Sequence, residues 1–138
     1  MRTFYIFKIK KYYAVLTKKN PYHLYKTMEN IYHLKPEELK YKINVFDNLK
    51  ENFNKEYLNN NIYELYKDKH TYTKFQNIHM INDYYTDEQS KLIVNKTYLL
   101  IKTTKEYPSF LKVLENIKDN IFVCDFKNKD YFWLEDVI

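Results

Sequence analysis

A mixed α/β domain is what this sequence predicts, and three observations carry that reading. An aromatic and β-branched run opens the chain at residues 2–10. Two helix starts follow it, at Asn20-Pro21 and Lys35-Pro36-Glu37-Glu38. The second half then returns to short strand-like runs, interrupted by one helical pattern after Pro108. At 138 residues and 17.2 kDa the chain suits one domain, residues 1–138, since two halves would each be too small to bury a dependable core.

In RTFYIFKIK, Phe4 and Ile6 alternate with Tyr5 and Phe7, so both faces are apolar and the strand is expected to be central. From Tyr12 the spacing turns helical. Tyr12, Val15 and Leu16 are expected to face inward, with Tyr13 and Thr17 standing out together, four residues apart. Asn20 serves as N-cap and Pro21 as first helical residue of the next helix, with Leu24, Met28 and Ile31 inward. Acids in the first turn mark the helix at 36–38, whose apolar face reads Leu39, Ile43, Phe46, Leu49 and Phe53. Asn59-Asn60-Asn61 reads as a break.

Residues 70–81 read as a strand and 82–90 as a polar loop. Leu92–Val94 and Tyr98–Lys102 form a hairpin about Asn95-Lys96. Pro108 opens a helix with Leu111, Leu114 and Ile117 or Val113 inward. Ile121–Phe126 and Tyr131–Leu134 flank a turn at Lys127–Asp130, with Trp133 expected to pack on the 108–118 helix.

Composition excludes several function classes. The chain has no glycine, so it can form no GxGxxG turn, Walker-type loop or glycine-flanked nucleophile elbow. Lysines number 22 against the single Arg2, asparagines 15, and Ala14 is the only alanine. That bias follows A/T-rich codons and accounts for much of the aromatic excess. Net charge +5 permits nucleic-acid binding, yet base edges and phosphate forks are read mostly by arginine. Lone Cys124, on a strand, can form no internal disulfide or zinc cluster and is expected to be buried and inert. His23, His33, His70 and His79 show no ligand spacing and read as surface or hydrogen-bonded helical histidines. The adjacent acids Glu37/Glu38, Asp87/Glu88 and Glu135/Asp136 diverge on a helix or strand rather than converge. No cofactor or metal is expected. Neither a signal peptide nor an apolar run of membrane-spanning length is seen, so a cytoplasmic protein is expected.

The opening RTFYIFKIKKYY, the block YLLIKTTKEYPSFLKVLENIKDN and the segment IFVCDFKNKDYFWL together resemble the sporulation inhibitor of replication (SirA) family. The family's Asp-Phe-x-x-x-x-Tyr-x-Trp-Leu pattern falls on Asp125, Phe126, Tyr131, Trp133 and Leu134. The resemblance implies a non-enzymatic protein of a Gram-positive bacterium, monomeric when free. It would bind the N-terminal domain of the replication initiator DnaA and block initiation, touching neither nucleic acid nor membrane directly. It places the partner-binding residues on the first helix, at Tyr13, Leu16 and Thr17, and near Asp47. A family aromatic is replaced by Thr17, so Thr17→Tyr is expected to enlarge the contact. Two rival readings come from the residues alone: a small basic nucleic-acid-binding domain, whose binding would fall steeply with salt, and an acyltransferase- or hydrolase-like enzyme, which the missing glycines disfavour.

Overall fold

In the computed structural model, residues 1–33, 37 and 39–138 are described, with side chains omitted for 39–43. Strand β1 (Arg2–Ile9) leads into helices α1 (Lys11–Thr17), α2 (Pro21–Tyr32) and α3 (Leu39–Leu49). Strand β2 (Lys50–Glu51) and helix α4 (Lys55–Tyr66) follow. Strands β3 (Tyr72–Phe75), β4 (Ile78–Asp83), β5 (Glu88–Val94) and β6 (Leu99–Thr103) come next, then a 3₁₀ segment (Ser109–Ile117), β7 (Ile121–Asp125) and β8 (Asp130–Trp133). The strands form one sheet in the order β3-β4-β5-β6-β1-β7-β8, with β2 added to the end of β1, and every described pairing is antiparallel.

The expectation for β1 holds: it lies between β6 and β7 and is buried on both faces. Phe4 and Ile6 point into a core with Ile101, Val123 and the inner faces of α4 and the 3₁₀ segment. Phe7 and Ile9 point the other way, into a core with Phe122, Cys124 and the inner faces of α1 and α2. Alternation along one strand therefore sets up three layers, helices on each side of the sheet.

Several expectations change. The Asn59–Asn61 triplet does not break the chain; it lies within α4. Leu58, Ile62 and Tyr66 recur every four residues on the buried face, and Asn54 caps the start by accepting from the Tyr57 N–H at 3.1 Å. Burial of that stripe outweighs the weak helix propensity of asparagine. Residues 70–81 are a hairpin, not one strand, because Gln76 takes up left-handed backbone at φ 55°. The polar loop at 82–90 shrinks to the tip of the next hairpin, and β5 begins at Glu88. The loop at Asn95 spans four residues, Val94 pairing with Leu99. The helix start read at Lys35, Pro36 and Glu38 lies outside the described residues, as do the side chains of Leu39 and Ile43. Phe53, expected on the α3 face, is buried beyond the helix end.

Four left-handed residues, Gln76, Asp87, Asn120 and Lys129, make turns that glycine would ordinarily serve. The only arginine pins the β7–β8 turn to β1. Its Nε donates to buried Asp125 at 3.0 Å and its Nη2 to Asp130 at 2.8 Å. Burial presses the Asp125 carboxyl upward, but hydrogen bonds from Asn128 and Arg2 outweigh it and hold the pKa below the usual carboxylate value.

Trp133 is buried as expected, but not against the 3₁₀ segment. Strand alternation turns it to the opposite face, where it meets Phe122 at 4.9 Å between ring centroids and shares a core with Ala14 and Leu24. Trp133→Ala should therefore lower unfolding free energy by about 3–5 kcal/mol, the range for core aromatic truncation. Chemical denaturation measures this, and the loss should disturb the α1–α2 face first in amide exchange.

Candidate functional site

Helix α1 has seven residues, and its orientation is the reverse of the one its apolar pattern suggests. Ala14 is fully buried and Thr17 is only 8% exposed, whereas Tyr12, Val15 and Leu16 are 70%, 67% and 60% exposed. A single residue, Lys10, separates the helix from β1, and the small side chain of Ala14 faces the core that Leu24 and Trp133 also enter. Thr17, one turn on, buries its methyl and satisfies its hydroxyl by donating to the Tyr13 carbonyl at 2.6 Å. The bulky residues are then left outside, where Tyr12, Val15 and Leu16 form one apolar stripe.

Tyr13 is half-buried rather than outstanding, its ring edge-on to Tyr12 at 5.4 Å. A groove of about 210 Å³ brings together Tyr13, Leu16 and Thr17 with His23, Leu24 and Leu49. Three of the four sequence-expected residues thus share one groove. Asp47 does not line it. It is exposed near the end of α3, in a neighbouring cleft with Lys10, the residue preceding α1, and with Lys50 and Lys96. Tyr12 and Val15 were missed as surface residues, and the signal that could have placed them is the sole alanine at the centre of the helix.

Cys124, His79 and Glu88 are buried within the fold. Cys124 is fully buried, and desolvation pushes its thiol pKa well up, away from thiolate character. His23, His33 and His70 are exposed. His79 departs from expectation: it is wholly buried on β4, where Nδ1 accepts from the Tyr72 hydroxyl at 2.7 Å and Nε2 donates to Asn59 Oδ1 at 2.8 Å. The neutral ring satisfies both bonds. Asp87 and Glu88 diverge as expected; Glu88 is buried and accepts from Ser90 Oγ, Ser109 Oγ and the Ser109 N–H. Among the described residues no three His, Cys, Asp or Glu side chains gather to hold a metal, and no helix is long and apolar enough to cross a membrane.

The C-terminal pattern is structural in every member. Asp125 receives Arg2, and Phe126 stacks on Tyr32 at 4.6 Å. Tyr131 stacks on Tyr25 at 4.7 Å, while Trp133 and Leu134 enter the two opposite cores. Its spacing follows from one hairpin that must serve both faces of the sheet.

These features define a three-layer α/β domain that carries an apolar stripe on the outer face of α1. The model of the sporulation inhibitor of replication protein SirA matches residues 2–137, and the chain belongs to that family. Membership supports a regulatory role in inhibiting replication. A comparison with curated proteins found no match.

His79 makes acid stability testable. Burial first, and the charge of Lys74 second, push its pKa from 6.5 down to about 4. Between those values the unfolded chain binds the proton and the folded chain does not, so stability is full above pH 6.5 and is lost as pH falls toward 4. Unfolding free energies from urea titration should therefore drop between pH 6.5 and about 5, above the carboxylate range, by on the order of 1–2 kcal/mol. In His79→Gln that slope should flatten.

Proposed function

We propose that this protein inhibits initiation of replication by binding the N-terminal domain of the initiator DnaA, through the outer face of α1 and the adjoining end of α3. The observation that carries this reading is the stripe of Tyr12, Val15 and Leu16, three large apolar side chains held outward on a helix anchored by buried Ala14. Such a surface is held in place before binding, so little conformational entropy is lost when a partner covers it. Tyr13 and Leu16 offer the anchoring contacts, and Thr17 forms the groove floor they border. Asp47, beyond the groove, supplies a charged rim. Inhibition by occlusion needs no reacting group, cofactor or metal.

The burial of Thr17 corrects one expectation drawn from the family resemblance. Thr17→Tyr should overpack the α1–α2 contact, costing about 1–3 kcal/mol of stability, rather than enlarge the interface.

The direct test is calorimetry with the isolated N-terminal domain of the host DnaA. Leu16→Ser should leave unfolding free energy within about 0.5 kcal/mol, the usual tolerance of exposed sites, and weaken binding by about 2 kcal/mol or more. Wild-type affinity in a folded Leu16→Ser protein would move the interface off this face. Binding to DNA that falls steeply with salt would support the nucleic-acid reading instead.

A further inference from the structure

A second hollow lies away from α1. It lies between α2, α3 and the sheet, measures about 640 Å³, and is walled by Tyr5, Phe7, Tyr32, Phe46, Tyr98 and Phe126 among others. Among the described residues, Thr97 supplies the one hydroxyl outside the tyrosines and no charged side chain lines the hollow. The volume falls within the roughly 300–1,000 Å³ of small-molecule sites, and the lining has their character of aromatic walls with a few polar atoms.

This hollow adjoins a cleft of opposite character. Thr97 borders both, and the second, about 490 Å³, is lined by Lys10, Lys50, Lys96, Asp47, Glu51 and Asn52. Lys50 joins them physically. It is only 3% exposed, and its Nζ lies 5.2 Å from the centroid of Phe46, a wall of the aromatic hollow. An ammonium carries three donors, and among the described residues Lys50 uses one, to Asn52 Oδ1 at 2.6 Å. Of the two acids in the cleft, Glu51 is drawn to Lys8 at 3.6 Å, leaving Asp47 to face three lysines. Burial, with Lys96 and Lys10 adding to it against Asp47, presses the Lys50 pKa below its ordinary value. A buried cation with unused donors favours an anion at that spot.

We propose that the aromatic hollow and the lysine cleft form one binding site for an amphiphilic monocarboxylate, its apolar tail among Phe7, Phe46 and Tyr98 and its carboxylate on Lys50. The ligand class follows from the order of the two regions: apolar walls inside, ammonium at the boundary, and Lys10 and Lys96 completing a positive mouth. A neutral amphiphile would leave the Lys50 donors unmet, and a cationic one would meet three like charges.

Calorimetric titration of the full chain with decanoate, below its micelle concentration, tests the site. Saturable binding with one ligand per chain is expected, with decanol weaker by about tenfold or more, the worth of one charge-assisted hydrogen bond, and decyltrimethylammonium weaker still. Lys50→Met should bring decanoate down to the level of decanol. Because Lys50 is buried, exposed Lys96→Glu provides a second variant, expected to weaken decanoate and leave decanol unchanged. Absence of saturable decanoate binding, equal affinity for the three head groups, or an unchanged decanoate affinity in folded Lys50→Met would overturn the proposal.

Discussion

Burial of β1 on both faces is the constraint from which the rest of the molecule follows. A strand with Phe4 and Ile6 on one side and Phe7 and Ile9 on the other must be covered twice. Helices cover both faces here: α4 and the 3₁₀ segment on one side, α1 and α2 on the other. The position of α1, and with it the exposed stripe, is a consequence of this layering. The helix follows directly from the central strand and has almost no linker with which to choose another place.

Absence of glycine shapes the fold without preventing it. Tight turns carry Gln76, Asp87, Asn120 and Lys129 in left-handed backbone, each at a cost of about 1–2 kcal/mol that the flanking ladders and cores offset. Asn120 shows how such a residue is held, since its carbonyl accepts from the Ile9 N–H at 2.8 Å and joins the turn to the central strand. The aromatic surplus enters the same economy of shape. Phe126, Tyr5 and Tyr32 pack in mutual contact, and Tyr25 spans Phe126 and Tyr131, so rings fill the space between α2 and the sheet.

That aromatic layer and the α1 surface have different physical character. On α1 the large side chains point to solvent around one buried methyl, which suits contact with another protein. Under α2 the rings face one another around a hollow, and a buried ammonium stands at its edge, which suits a small amphiphile. Lys10 and Asp47 lie between the two regions, at the start of α1 and the end of α3.

Much of the fold was legible in the sequence because it rests on local periodicity. The two-faced central strand, the Asn20–Pro21 helix start, the C-terminal hairpin, the burial of Cys124 and Trp133, and the family itself could all be read from residue order. Helix α4 was hidden because asparagine composition obscured the spacing of Leu58, Ile62 and Tyr66. The hairpin at Gln76 was hidden because left-handed backbone at a glutamine has no strong sequence mark. Of the four expected contact residues, Tyr13, Leu16 and Thr17 line one groove and Asp47 the next cleft, and Thr17 is buried rather than outstanding. Counting apolar residues assigns Tyr12, Val15 and Leu16 to the interior, whereas the helix turns Ala14 and Thr17 inward. Which face of a short helix turns inward, which core receives Trp133, and which lysine is buried beside an aromatic wall all depend on the distance between layers. That distance exists only once the sheet has formed, so the tertiary structure alone decided them.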